Sequence, residues 1–403
     1  MKTQLTGLAL FVATASAVAL YPALQSSAGT PPGQHITIAA PPVDVVKTSK
    51  PRIEVVFALD TTSSMSGFIE AAKEKIWSIA TTMASAQPAP EISIGLVAFR
   101  DRGDAYVTQV TDLSDDLDSV YAQLMDFKAQ GGGDGPESVN QALYDAIHNV
   151  SWSEGDDAYK VVFLVGDAPP HMDYANEVQY PETIAAAAKR GIRINTIQSG
   201  QDVNTAQSWQ SIAELSQGDF FNVSSDGNAV AVASPFDDRI AALSRKLDET
   251  RLYFGNADEK ARQKRKTDAA KKVHDFASTA SRARRGAFNA SRSGERNFLG
   301  EKELVEAVAA GRVDLDAIAP AELPASLQAL PSAERKDVVM GQARKRSELK
   351  KEIQELAAER DAYIAEEVAA IGGAEDSLDH QLFDTVREQA AAKGLSYEAA
   401  PKY

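Results

Sequence analysis

From residue 53 to residue 223, short unbroken apolar runs alternate with longer stretches whose apolar positions recur every three or four residues. The short runs predict buried β-strands at 53–59, 92–99, 161–165 and 192–197, with a last short strand at 220–223 and an edge strand at 106–110. The longer stretches predict helices at 68–84, 117–127, 138–150, 181–190 and 206–216; proline opens the fourth of these and Gly191 stops it. Strands and helices alternating at this spacing imply an α/β domain: a mostly parallel sheet with helices on both faces. In such sheets ligands bind beyond the carboxyl ends of the strands, where the strand order reverses.

Near Pro235 the pattern changes. Ala, Lys, Arg and Glu dominate, β-branched runs disappear, and the remainder reads as an all-α, partly extended region. Residues 334–371 predict one long helix with an apolar stripe at Leu349, Ile353, Leu356, Tyr363 and Ile364, interrupted by Arg360. Gly372 and Gly373 end it, and a last helix is expected at 378–393. The expected organisation is an export signal (1–28), a linker (29–50), the α/β domain (51–250), a basic helical segment (251–300) and a helical C-terminal region (301–403).

The signal rests on Lys2, the apolar run at residues 5–20, and small-x-small pairs such as Ala17/Ala19 and Ser26/Ala28. An uncleaved anchor is the competing reading, and no later segment is apolar enough to cross a membrane. The expected location is secreted or periplasmic. A net charge of −15 argues against nucleic-acid binding and favours divalent cations or basic partners. The absence of cysteine excludes disulfides, thiolate metal sites and thiol catalysis. Within this acidic chain, residues 245–296 carry fifteen Lys/Arg against seven Asp/Glu. That run can be a solvated helix face, a surface docked on the acidic sheet domain or an acidic partner, or a nucleic-acid contact, the last disfavoured by few aromatics.

The chemistry concentrates at the ends of two buried strands. The first is followed by Asp60-Thr61-Thr62-Ser63-Ser64, a carboxylate and two hydroxyls at Asp-x-Thr-x-Ser spacing; the strand at 161–165 is followed by Gly166-Asp167-Ala168-Pro169-Pro170-His171. Hard oxygen donors of this kind suit Mg²⁺ or Mn²⁺. Alone, Asp60 reads equally as a helix cap.

Residues 55–65, VVFALDTTSSM, resemble the opening of a von Willebrand factor type A domain, whose metal-ion-dependent adhesion site begins Asp-x-Ser-x-Ser. Here Thr62 stands at the first hydroxyl position. Gly131-Gly132-Gly133-Asp134-Gly135-Pro136-Glu137 is similar to a branch of the family with aspartate in the second loop, and Asp167 matches the third. The resemblance covers about residues 51–250 and implies a metal held by Asp60, Thr62, Ser64, Asp134 and Asp167, with the glycines letting the backbone approach the ion. Asp134 can instead orient Thr62 or a water. Three carboxylates around a divalent ion leave about −1, against neutrality for two.

Other residues invite a function. Arg102-Gly103-Asp104 spells an integrin-recognition tripeptide but reads as a tight turn between strands; Glu137 can support the metal-binding residues from behind, and a helix-start position also explains it. Asn149, Asn222 and Asn289 open glycosylation tripeptides. The leading expectation is an exported, non-catalytic, metal-dependent protein-binding module of adhesion or scaffold type. A metal-dependent hydrolase is the alternative, with His171 as acid–base and Arg100 or Arg102 positioning substrate. A structural envelope protein assembling through its long helix as a coiled coil is the third.

Overall fold

The computed structural model of the chain describes residues 50–133, 135–224, 232–371 and 377–397. The expected export signal, nearly all of the expected linker, Asp134, and the Gly372-Gly373 helix stop lie outside them. Six strands form one sheet: β1 (Arg52–Asp60), β2 (Glu91–Phe99), β3 (Thr108–Ser114), β4 (Ala158–Gly166), β5 (Ile192–Ser199) and β6 (Phe220–Val223). Their spatial order is β3-β2-β1-β4-β5-β6, parallel throughout except for β3, which runs antiparallel along β2 at the edge. This edge strand begins later and runs further than the expected 106–110. Its sequence TQVTDLS has no apolar run to mark it, and the chain first closes a turn in which Arg100 N–H donates to Val107 O at 2.9 Å.

Successive side chains of a strand point to opposite faces, so a strand buried on both sides reads as continuous hydrophobicity. In β1, Ile53, Val55, Phe57 and Leu59 face helices α1 (Ser66–Ala84) and α2 (Leu117–Asp126), where Phe68, Ile69, Trp77, Val120 and Tyr121 pack on them. Val56 and Ala58 face α3 (Val139–His148), α4 (Tyr180–Lys189) and α5 (Val203–Leu215), through Val139, Leu143, Ile184 and Trp209. Strand β1 lies between β2 and β4, the point where the winding of the sheet changes direction. The end of β1 therefore has strand ends on both sides, and this is where the candidate metal residues fall.

The remaining helices are α6 (Asp237–Asp248), α7 (Ala257–Phe276), α8 (Thr279–Ala290), α9 (Glu295–Leu299), α10 (Leu304–Ala309), α11 (Ala325–Gln328), α12 (Ser332–Ile371) and α13 (Leu378–Ala391). The basic segment docks onto the sheet-bearing part. Lys266 pairs with Asp116 at 2.7 Å, Lys272 with Asp126 at 2.6 Å, and Arg296 with both Glu91 and Asp115 at 2.8 and 2.6 Å. At the centre Arg285, fully buried, grips the equally buried Asp118 with two hydrogen bonds of 2.5 and 2.6 Å and reaches Asp248 at 2.8 Å. Arg285 holds the carboxyl groups of Asp118 and Asp248 below the usual range against the opposing effect of burial.

The stripe of α12 is used within the chain. Leu349 and Ile353 pack with Ile240, Leu243, Ala283 and Phe298 from α6, α8 and α9. Arg360, which interrupts the stripe, is buried and pairs with buried Asp237 of α6 at 2.6 Å. Helix α13 returns to the sheet: Leu382, Phe383, Val386 and Ala390 join the core on the α1 face, and Gln389 accepts from Tyr159 and donates to Asn195 at 2.8 and 2.9 Å. Asn289 is fully buried and accepts from Asn297 at 2.7 Å, so a glycan cannot occupy that position in the folded chain.

Breaking a buried ion pair from one side leaves an uncompensated charge, at a cost of about 3–5 kcal/mol. Arg285→Met leaves Asp118 and Asp248 without their shared cation. Urea unfolding is expected to show a loss of about that size; a loss below about 1 kcal/mol contradicts the role given to this residue.

Candidate metal centre

Asp60 ends β1 and is 1% exposed. Its Oδ1 accepts hydrogen bonds from the Thr62 N–H at 2.8 Å and the Thr62 hydroxyl at 2.7 Å. Thr62 Oγ1 lies 3.2 Å from Ser64 Oγ. From Asp60 through Thr62 to Ser64 exposure rises from buried to open, so the row of oxygens leads from the sheet to the surface. The local cause is a short 3₁₀ turn, Ser63–Met65, inserted between strand and helix, with Thr62 extended at its start.

Strand β4 delivers the other carboxylate. Leu59 pairs with Val165, and a Cβ placed on Gly166 would come within 3.1 Å of Asp60 Cβ and of the Trp209 ring, so a side chain there would crowd the two strand ends. Asp167 follows, half-buried. Its backbone oxygen accepts from Thr205 at 3.2 Å and the next carbonyl, of Ala168, from the Trp209 indole at 3.0 Å, which anchors this loop to α5. The structure thus brings together Asp60, Thr62, Ser64 and Asp167 of the five expected ligands; Asp134 lies outside the described residues.

Burial pushes the Asp60 carboxyl up to about 7; the Thr62 donors and the Asp167 backbone N–H oppose this, and the nearby Asp167 charge adds to it. Burial likewise raises Asp167, partly offset by the Ser64 hydroxyl. Asp60 Oδ2 is buried and accepts no hydrogen bond among the described residues. Such an atom costs free energy unless something electropositive meets it. Two carboxylates, two hydroxyls and an unmet anionic oxygen form a donor set that fits a hard divalent cation. Among the described residues no three carboxylate or imidazole side chains gather closely enough to hold an ion by themselves.

The glycines of the second loop also allow close approaches within the chain. Gly131 and Gly132 have φ of 82° and 80°. A Cβ on Gly131 would lie 2.3 Å from Asp104 Oδ1, and one on Gly132 would lie 3.2 Å from Thr62 Cβ. The missing side chains make room for Asp104 and Thr62. The loop is tied to the first by Gln130 N–H to Thr61 O at 3.0 Å and by the Ser63 N–H and hydroxyl to Gly131 O at 3.2 and 2.8 Å. It is tied to the third by a parallel bridge: Glu137 N–H donates to Pro169 O and His171 N–H to Glu137 O.

Glu137 precedes α3 rather than starting it, so a helix dipole does not explain it. The residue is 3% exposed, and its carboxyl is pushed up to about 9 by burial and by Asp60, Asp101, Asp104 and Asp167. Its Oε2 also accepts no hydrogen bond among the described residues.

His171 is buried between two carboxylates and an aromatic ring. Nδ1 lies 2.8 Å from Asp173, Nε2 lies 3.5 Å from Asp101, and the ring stacks on Tyr174 at 3.9 Å. Arg100 directs its guanidinium to the carbonyls of Thr61 and Lys128 at 3.2 and 2.9 Å. Arg102 pairs with Glu177 at 3.0 Å and lies over the Tyr174 ring at 4.0 Å. Asp104 Oδ2 accepts the Gly132 N–H at 3.0 Å, so the Arg-Gly-Asp turn faces its own protein. The parts played by Asp101, Asp104 and Glu177 were not foreseen. A signal was present: residues 100–104 also follow a buried parallel strand, and Phe99 pairs with Asp60.

Residues 54–225 match the von Willebrand factor A domain family, less than half of the chain. Solved structures with this fold resemble the same part. Proximal thread matrix protein 1 from the mussel byssus is 17% identical over 44% of this chain and 43% of its own, with a TM-score of 0.34. A structure of that protein "with zinc occupied MIDAS motif" is 18% identical over the same shares, with a TM-score of 0.35. The SpRpn10 VWA domain is 16% identical over 43% of this chain and 88% of its own, with a TM-score of 0.33. The chain thus spans less than half the length of the mussel protein, and these likenesses concern the fold alone. No curated protein matches the chain. The sheet-bearing part has a von Willebrand factor A-like fold, with a mixed, mostly parallel sheet.

A raised carboxyl pKa sets the sign of a pH dependence. Between an unfolded value near 4 and a folded value of about 7, the folded state of the cation-free protein holds a proton that the unfolded state has lost. Stability therefore falls as pH rises through this window, by on the order of 4 kcal/mol from Asp60 alone. Asp60→Asn is expected to flatten the decline and to be the more stable protein above pH 7 in chelator. Equal slopes for the two proteins in urea titrations from pH 5 to 8 would contradict this.

Proposed function

We propose that this chain is an exported, non-catalytic protein-binding module that meets its partner through a divalent cation, Mg²⁺ or Mn²⁺. Asp60, Thr62, Ser64 and Asp167 would hold the ion, with Asp134 as a further donor from the second loop. The observation that carries this is the buried Asp60 carboxylate, whose Oδ2 accepts no hydrogen bond of good geometry among the described residues and which stands beside an outward row of hydroxyls and a second carboxylate. Bound, the cation supplies a Lewis-acidic position at the protein surface. The chain's own residues fix where that position lies.

The surroundings support a binding face. Around the same end of the sheet, Met172 is 53%, Val178 40% and Val203 66% exposed. A concavity beside them is lined by Met172, Tyr174, Ala175, Asn176, Glu177 and Val178. Apolar side chains left in water around a polar centre suit a protein partner. Three carboxylates around a divalent ion leave about −1 by charge count, and Asp101 and Asp104 lie close behind them. A water or a neutral oxygen from the partner suits that position better than a carboxylate.

Export rests on Lys2, the apolar run that follows, and the small-residue pairs after it. No helix among the described residues is long and apolar enough to cross a membrane. In the hydrolase reading His171 would be the acid–base group; it is 5% exposed, with Nδ1 engaged by Asp173 at 2.8 Å. Assembly through α12 loses its free apolar stripe, which packs on α6, α8 and α9.

Affinity capture of exported proteins, with Mg²⁺ and with chelator, tests the reading. A partner retained only with Mg²⁺ and lost on Asp60→Ala, with the melting temperature in chelator not lowered, is the expected result. Equal capture in both conditions, or by both proteins, sinks it.

A further inference from the structure

The turn joining β2 to β3 touches each of the three loops at the metal end of the sheet. Arg100 spans the first loop and the approach to the second, through the Thr61 and Lys128 carbonyls. Asp101 accepts from Ser138 at 3.0 Å and from Tyr174 at 2.8 Å, joining the end of the second loop to the stretch after the third. Arg102 holds Glu177. Asp104 reaches the glycines, accepting the Gly132 N–H at 3.0 Å on Oδ2, the oxygen that also accepts Asp101 N–H at 3.3 Å.

We infer that residues 100–104 form an internal clasp, in which Asp104 is a positioning residue that sets the second loop for cation binding. The inference rests on the metal-binding reading above and adds a residue outside the ligand set to it. Three observations carry it. Gly131 and Gly132 adopt a left-handed backbone that glycine holds without strain, and Asp104 bonds the N–H of Gly132. The Asp104 carboxylate fills the space a Cβ on Gly131 would need, 2.3 Å from Oδ1. Gly132 in turn sits against Thr62, so a shift of this segment moves it into or away from a ligand.

The hydrogen bond, rather than the charge, is what the clasp requires. Asp104 is one of several carboxylates acting on Glu137, and its negative charge by itself would attract a cation without ordering the loop. An asparagine keeps an oxygen for the Gly132 N–H and removes the charge, whereas alanine removes both. Outer-shell partners of metal ligands are commonly worth 10–100-fold in affinity.

The full chain is titrated with Mn²⁺ and Mg²⁺ as wild type, Asp104→Asn and Asp104→Ala. Amide hydrogen exchange at Gly132 and the melting temperature are measured in chelator. The expected result is a loss of about 10–100-fold in cation affinity for Asp104→Ala and less than about threefold for Asp104→Asn. Gly132 exchange should rise only in Asp104→Ala, and the melting temperatures in chelator should agree, since the role is local. Equal weakening by both variants would assign Asp104 a purely electrostatic part and overturn the inference. Wild-type affinity and wild-type exchange in Asp104→Ala would also overturn it. A wild-type protein that binds neither cation is a failure of the metal reading itself, distinct from a wild type that binds and an Asp104→Ala that binds equally.

Discussion

Asp60 places a carboxylate where water does not reach, and the carboxyl end of the sheet is arranged around that fact. Desolvating such a group is costly, and a partner in the chain or outside it must offset the cost. Thr62 supplies two donors, but both go to Oδ1. Arg100, on the end of the neighbouring strand, spends its guanidinium on the carbonyls of Thr61 and Lys128. The described residues therefore order Asp60 without neutralising it. Asp118 is the useful contrast within the same molecule. It is buried as completely, and the chain provides Arg285 with two short hydrogen bonds to the same carboxylate. One aspartate is matched from inside, the other is left with an oxygen to offer. A selective difference between two equally buried acids points to a cation from outside at Asp60 far better than the acid's burial alone would.

That contrast also explains what the helical half contributes. Lys266, Lys272, Arg285 and Arg296 are distributed so that each meets a carboxylate on the sheet-bearing part. Exposed pairs among them contribute little, but the Arg285 node is sealed and its geometry is bidentate. Helix α13 closes the other side of α1 with Leu382, Phe383 and Val386 in the same core as β1. The cover lies along the faces of the sheet, and the carboxyl end with its three loops stays exposed around Ser64 and Met172.

Much of this was legible in the sequence, for a physical reason. Parallel strands buried on both faces are uninterrupted apolar runs, so β1, β2, β4 and β5 announce themselves within a few residues of their ends. The candidate ligands lie next to those runs, so the neighbourhood of Asp60, Thr62, Ser64 and Asp167 at the strand ends was readable too. What stayed hidden depends on pairing across sequence distance. Arg360 looks like a break in an apolar stripe until Asp237 is seen opposite it. Strand β3 is half exposed and carries no apolar run. The second-loop glycines are easily assigned to an ion, because nothing in GGGDG says that a carboxylate from residue 104 fills the space beside them. Glu137 reads as a helix-start acid because the true start, two residues later, is set by a bridge to Pro170.

The loops differ from independent loops on a common scaffold in being bonded to one another. The first holds the second through Thr61 and Ser63, the second holds the third through Glu137, and the turn after β2 touches all three. Cross-linked in this way, the donors need little rearrangement to meet an ion, and affinity that would otherwise go into ordering them is retained. The same bonding limits how far one loop can move alone. A shift of the second loop must be transmitted to Thr62 on one side and to His171 on the other, through Gly132 and through Glu137. The site is therefore expected to respond to a cation as a unit, with the apolar residues Met172 and Val178 carried on the segment that follows the third loop. Such coupling would join a bound ion to the surface beside it through loops that are bonded to one another over the strand ends.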